Sequence, residues 1–349
     1  MRSFCARAAD ALLCKGTDRA SFDVEVVVKT AIITGARGYI GSALAEKLGR
    51  EGYALRLVSR SPTLISTASA RATREYRAAD LRYPESWSEL LRDADVVVHL
   101  SSRTDLRSAE ADPAADEDIN IRPLRALVEA ARGLDTAPMI VFASAATIVG
   151  PNPQMPVDDA ARDNPCSVYD RHKLAGELIL REGTACGAVR ACSLRLANVY
   201  GYGDASMNAN RGILNIMMKR AVDGKPLTLY GNGAYLRDFI HIEDVVEAFM
   251  RAIATADICD GGHYIIASGH GHTLADAYAM IADVAMEQLQ RRVEIVCVPE
   301  PADLHPIEKR DFIGDPHVFH SRTGWRPRFG LRTGITDYFA RAARREMAH

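Results

Sequence analysis

Apolar residues arrive along this chain in two rhythms. Runs of strand length stand at Val26–Thr34, Ala54–Ser59, Asp95–Leu100, Met139–Ser144 and Ala191–Leu196, and Arg77–Leu81 reads as a further short strand. DVVVHL (95–100) and MIVFAS (139–144) are nearly unbroken, as strands buried on both faces require. Between the runs the spacing becomes helical. Ile40, Leu44 and Leu48 share one face of a helix predicted to reach Gly49. Leu124, Leu127, Val128 and Ala131 share one face of a helix predicted over Ile119–Gly133, and a third helix is predicted over Val168–Gly183. Strands alternating with helices predict an α/β protein with a doubly wound parallel sheet. After Asn198 the pattern changes. Loops rich in Gly and Asn, such as GYGDASMNANRG and YGNGAYLRDF, separate short elements and predict a smaller lobe laid over the sheet.

Composition narrows the class. Among 349 residues, 48% are apolar, 25% are charged and the net charge is −2. This is a globular mix without the basic block that nucleic-acid binding needs. No apolar run reaches the roughly 20 residues of a membrane helix. The seven cysteines are an odd number, scattered and without CxxC spacing, which predicts reduced thiols in a cytoplasmic protein. The start, MRSFCARAADALLCKG, lacks the apolar core of a secretory signal, so residues 1–24 are expected to be an N-terminal extension.

Chemistry enters at TAIITGARGYIGSALAEKLG, residues 30–49. Gly35, Gly38 and Gly41 stand where the first strand becomes the first helix. Glycine permits a tight turn and lets backbone N–H groups approach a pyrophosphate, which the positive helix N-terminus also favours. This context predicts a dinucleotide site of Rossmann type. Tyr39 and Ile40 belong to the same loop, and Leu100 ends the strand expected beside it. An acid at the end of the second strand would favour NAD. The chain has Ser59 and Arg60 there, and Arg37 in the loop, which favours NADP with NAD as the alternative. Asp80 and Leu81, after the third strand, are candidates for adenine contact. The expected division is a dinucleotide-binding domain over residues 25–198 and a substrate lobe over 199–349, with some elements returning to the first domain.

SVYDRHKLAGE places Tyr169 and Lys173 four apart on one helical face. A tyrosine near pKa 10 is a poor base, and an adjacent ammonium lowers that value. Such a pair can move a proton while a nicotinamide moves a hydride.

With TGARGYIG, AADL, DVVVHL, YDRHK, RLANVYGYG and LTLYGNGAYLRDFIHIEDV, the chain resembles the extended short-chain dehydrogenases/reductases, in their NAD(P)-dependent sugar epimerase/dehydratase branch. The likeness spans about residues 28–342. It implies a nucleotide diphosphate-sugar substrate, with Arg237 on the pyrophosphate, Asn198 lining the sugar site and Arg310 as a second anion contact. A buried salt bridge from Arg237 to Asp238 or Asp244 is the structural alternative. The family's catalytic hydroxyl falls on Ala145 in FASAATIVG, leaving Ser144 and Thr147 as candidate replacements, Thr147 slightly preferred. The same stretch lacks the acids of a dehydratase.

His172 is expected to point off the Tyr169 face, His241 to be structural and Cys166 to be an inert thiol. His263, His270 and His272 lack ligand partners at metal spacing. Three functions follow in order: a nucleotide-sugar 4-epimerase, an NADPH-dependent reductase of a keto-sugar or other small carbonyl compound, and a non-enzymatic dinucleotide sensor. The resemblance also implies a homodimer. The helical stripes near Leu124–Ala131 and Leu174–Ile179 permit that or packing inside one subunit.

Overall fold

The computed structural model describes residues 28–60, 73–151, 154–203, 212–302 and 304–347. The N-terminal extension, with Cys5 and Cys14, and most of GYGDASMNANRG lie outside the described residues. The strands are β1 (Thr30–Thr34), β2 (Ala54–Ser59), β3 (Arg74–Ala78), β4 (Val96–His99), β5 (Met139–Ala145), β6 (Arg190–Leu196), β7 (Asn198–Tyr200), β8 (Leu227–Tyr230), β9 (Leu236–His241), β10 (His263–Ile266), β11 (Gly271–Thr273) and β12 (Ile295–Val298). The helices are α1 (Tyr39–Arg50), α2 (Pro84–Leu90), α3 (Leu106–Ala111), α4 (Pro113–Asn120), α5 (Arg122–Ala131), α6 (Val168–Ala185), α7 (Ile213–Val222), α8 (Ile242–Ala254), α9 (Leu274–Leu289), α10 (His317–Thr323) and α11 (Leu331–Met347).

Among the described residues, seven strands form one parallel sheet in the order β10-β6-β5-β4-β1-β2-β3. This is the doubly wound arrangement expected. The unbroken apolar runs arise because helices cover both faces. Ile33, Val98 and Val141 pack with Leu44 and Leu48 of α1 and Phe249 of α8. Their neighbours Ile32, Val97 and Ile140 face the other way, onto Trp87, Leu124, Leu127 and Leu180.

Three predicted elements differ. The first strand begins at Thr30 rather than Val26, with Val28 and Lys29 exposed ahead of it. The edge strand is Arg74–Ala78, three residues before the expected Arg77–Leu81. Its sequence, REYRA, is half solvated, and Arg56 of β2 holds its Glu75 at 3.0 Å, so charge replaces an apolar signal. The single helix expected over Ile119–Gly133 is two, parted at Ile121, with Pro123 in the first turn of α5. The α5 stripe is buried against α2, α4 and α6 of the same chain, one of the two arrangements it allowed.

A second core gathers Leu214, Met218, Leu227, Tyr278, Ile281, Ile335 and Phe339 from α7, β8, α9 and α11. Small sheets β11-β9-β7 and β12-β8 accompany it, while β10 returns to the large sheet. The Tyr39 hydroxyl at the start of α1 donates to the Gly201 carbonyl at 2.8 Å, tying the glycine loop to this part of the chain.

Candidate active site

The order of the large sheet reverses between β1 and β4, which opens a crevice at their carboxyl ends. The Thr34 hydroxyl accepts from Leu100 N and Ser101 N, both at 3.1 Å, and lies 3.1 Å from His99 Nδ1. This draws the two strand ends together. A Cβ on Gly35 (φ +66°) would lie 2.9 Å from Ser101 N, and one on Gly41 would lie 2.3 Å from Gly35 O. Neither position accepts a larger residue without displacing backbone. Gly38 caps α1 without a side-chain hydrogen bond, so the first N–H groups of α1 stay open to an anion. The Tyr39 ring and Ile40 pack against the core.

A cleft of about 1120 Å³ lies at the ends of β2 and β3 and along the loop after β4; Ser59, Arg60, Asp80 and Leu81 line it, whereas Leu100 and the Gly35–Gly41 loop do not. Arg60 and Arg37 are exposed, and the Asp80 carboxylate is held by Arg82 at 2.6 Å, which lowers its pKa. The loop after β4 is held by Asn120, whose Oδ1 accepts from Ser102 Oγ and Arg103 N, each at 2.9 Å. Nothing in the sequence around Asn120 signals this role.

The α6 helix begins at Ser167, which accepts from Asp170 N at 3.0 Å. Tyr169 is half-buried and Lys173 is buried. Lys173 Nζ lies 5.7 Å from the Tyr169 ring centre, 4.7 Å from that of Phe142, and donates to Ala143 O at 2.8 Å. Burial pulls its pKa down to about 8, against the opposing pull of Glu177 and Asp116. His172 turns to α4, with Nδ1 2.7 Å from Asp116 Oδ2.

Neither hydroxyl near Ala145 is free. Ser144 Oγ donates to Glu177, and Thr147 Oγ1 donates to Asp170, which also accepts from Ser167 Oγ at 2.7 Å. Each hydroxyl thus spends its proton on a carboxylate and keeps its oxygen lone pairs as acceptors. Ser144 follows Ile140 and Phe142 onto the α6 side of the sheet, where Glu177 needs donors. The next residues turn in a short 3₁₀ helix, Ala146–Val149, which aims Thr147 at the start of α6.

On the other side, Asn198 opens β7 and is half-buried. Arg237, 3% exposed, donates to the carbonyls of Leu236 at 3.0 Å, Arg310 and Glu308. The alternative pairing to Asp238 or Asp244 is thereby corrected. Asp238 instead accepts from Ser268, Gly269 and Gly314 N–H groups, and Asp244 from those of Arg328 and Phe329. Arg310 is 7% exposed and donates through Nη1 to Ile307 O at 2.7 Å, while its Nε has no partner among the described residues. Burial and the nearby Arg237 push its pKa down to about 10. The half-exposed Glu308 carboxylate, 3.8 Å from Arg237 Nη2, offsets part of this pair of buried cations, and a further anion would stabilise them more.

Cys166 donates to Asn164 O at 3.3 Å. His241 caps α8, stacks on Phe329 with centres 4.0 Å apart, and is held near pKa 4 by burial. Among the described residues, no group of three or more His, Cys, Asp or Glu could hold a metal ion. No helix among them is long and apolar enough to cross a membrane.

The model of a family described as the NAD dependent epimerase/dehydratase family matches residues 31–267. A UDP-glucose 4-epimerase of Mycolicibacterium smegmatis is 25% identical over 324 residues, 87% of this chain and 95% of that protein. A GDP-6-deoxy-D-mannose reductase of Pseudomonas aeruginosa is 26% identical over 271 residues, 75% of this chain and 86% of that protein. A solved UDP-glucose 4-epimerase of Thermus thermophilus, in complex with NAD, is 25% identical with a TM-score of 0.74, covering 89% of this chain and 98% of that one.

Proposed function

The chain belongs to the NAD dependent epimerase/dehydratase family, and from that premise we propose that it is a nucleotide-sugar 4-epimerase with Tyr169 as its acid and base. The observation that carries this reading is the buried Lys173 beside Tyr169, with a pKa of about 8. An ammonium in that position stabilises the phenolate. Tyr169 then takes the proton of the sugar 4-hydroxyl and returns it after the 4-keto sugar has turned over. Bound nicotinamide supplies the acceptor and donor of hydride. The residues present fit such a group, because the Gly35–Gly41 cradle leaves room only for backbone and the α1 N-terminus is open.

Arg310, with its unpartnered Nε, and Arg237 are the proposed pyrophosphate contacts, and Asn198 the proposed sugar contact. Arg237 would exchange its carbonyl partners of the 308–310 segment for phosphate oxygens. For the cofactor we favour NADP over NAD, because Ser59 and Arg60 occupy the cleft where an acid would hold a ribose hydroxyl. Residues 25–198 would serve mainly the dinucleotide and 199–349 mainly the sugar. A cytoplasmic homodimer completes the reading; the cysteines among the described residues are all free thiols.

A self-recycling epimerase holds its dinucleotide. The protein purified without added cofactor is expected to release one dinucleotide per chain on denaturation, identified by mass. It should also convert a UDP-hexose to its 4-epimer without net formation of reduced cofactor. Release of NAD would refute the reading of Arg60. An empty protein that consumes NADPH on a 4-keto sugar would establish the second reading, a reductase, which Arg60 and the likeness to the P. aeruginosa reductase favour.

Gly41→Ala tests the cradle. Its new methyl would meet Gly35 O at 2.3 Å, so the loop must shift. Dinucleotide affinity, read by calorimetry, is expected to fall roughly tenfold or more. An unchanged affinity would place the dinucleotide elsewhere.

A further inference from the structure

Two carboxylates flank Lys173, and they are balanced differently. Glu177, one turn along α6, is held by Arg195 at 2.6, 2.9 and 3.2 Å and by the Ser144 hydroxyl. Its charge is met by a guanidinium. Asp116 on α4 is fully buried, and among the described residues no lysine or arginine pairs with it. Its Oδ2 accepts from Asn120 Nδ2 at 2.8 Å and lies 2.7 Å from His172 Nδ1, while its Oδ1 has no partner. His172 sits beside Lys173 in sequence, with its side chain 16% exposed. A carboxylate kept in the interior with so few donors is costly unless a nearby positive charge offsets it.

We propose that Asp116, held by Asn120, is a positioning residue that joins Glu177 in keeping Lys173 protonated beside Tyr169. The reason is Coulombic. Burial favours the neutral amine, and a negative charge in the same low-dielectric region favours the ammonium. Glu177 opposes the effect of burial on Lys173 most strongly, and Asp116 adds to it. The other charged or titratable groups around this face are His99 of β4, Glu110 of α3 with His305 3.8 Å from it, Asp170 of α6 with Arg310 in its field, and Glu177 of α6, which has Arg195 of β6 behind it with Asp163, and His263 of β10 at 3.8 Å. Glu110 accepts from Val168 N at 2.6 Å, and Asp170 accepts from Ser167 and Thr147, so both are engaged at the helix start. His99 is buried and held neutral, with a pKa near 3. Asp116 is therefore the carboxylate whose charge is least offset. The imidazole N–H of His172 draws on the same charge, so removing His172 strengthens the pull of Asp116 on Lys173.

The test is a titration of Lys173 in the full chain carrying isotope-labelled lysine. Its resonance is assigned by its loss in Lys173→Arg and followed from about pH 6 to about pH 11. In Asp116→Asn the titration is expected to move down by about one pH unit, a tenfold change in the protonation equilibrium. In His172→Leu it is expected to move up. Opposite shifts distinguish an electrostatic role from loosened packing, which would move both variants the same way. Shifts of one sign, or a Lys173 titration unmoved in Asp116→Asn, would overturn the proposal. Should Asp116→Asn fail to fold, an unmoved His172→Leu titration overturns it alone.

The consequence for turnover, an alkaline limb displaced with Lys173, rests on reading Tyr169 and Lys173 as the proton-handling pair. The lysine titration needs no substrate. Opposite shifts in a protein inert toward every nucleotide-sugar would refute the proposed function and leave this inference standing.

Discussion

Tyr169→Phe is expected to lower turnover roughly 100- to 10,000-fold while leaving dinucleotide and nucleotide-sugar binding almost unchanged. The substitution removes one oxygen from a half-buried ring and keeps the face that Lys173 approaches at 5.7 Å. Lys173 keeps its hydrogen bond to Ala143 O, so the helix and the strand end stay joined. What disappears is the group able to take the proton of a sugar hydroxyl. Steady-state kinetics with a UDP-hexose, paired with calorimetry of both ligands, reads the two effects apart. Turnover retained in the phenylalanine variant would refute the role of Tyr169. A parent protein that binds both ligands and never turns over would instead support a sensor, the reading that Ala145 and the engaged Ser144 and Thr147 hydroxyls keep open.

Glu177→Ala is expected to cost about 3 to 5 kcal/mol of stability. Arg195 is 1% exposed near the end of β6, and three of its hydrogen bonds run to Glu177. Without that carboxylate the guanidinium keeps only Asp163 at 2.7 Å, whose side chain is itself 30% exposed. Ser144, buried at the end of β5, loses its acceptor in the same step. A urea titration against the parent protein measures the loss. The double variant Glu177→Leu with Arg195→Met should recover most of it, because apolar replacements leave no buried charge behind. A single variant within about 1 kcal/mol of the parent would mean the pair acts as a surface ion pair does.

The sheet and the glycine loop were legible in one dimension. A strand covered on both faces must be apolar at every position, and Ala31–Ile33 and Val96–Val98 report that cover directly. Gly35 and Gly41 were legible because a backbone carbonyl or amide within 3 Å of a would-be Cβ admits nothing larger. Tyr169 and Lys173 were legible because four residues are about one helical turn. The edge strand was shifted because solvated strands carry no apolar rhythm. The break at Ile121 was missed because the apolar positions of α5 keep their spacing on either reading.

Hydrogen-bond partners were another matter. Ser144 and Thr147 stand in the sequence as two interchangeable hydroxyls. Which carboxylate each meets depends on where α6 lies over β5. Arg237 reads as an anion contact or half of a salt bridge, and only the fold brings the carbonyls of Glu308 and Arg310 to it, more than seventy residues away. Asp116 and His172 are separated by 56 positions and meet because α4 packs on α6 beside Lys173. Local patterns therefore determined the layers of this protein, its glycine loop and the spacing of its tyrosine and lysine, since burial and helical pitch act on neighbouring residues. The tertiary structure alone decided which charges face one another in the interior, because a buried polar group bonds whatever the packing of distant segments brings within about 3 Å.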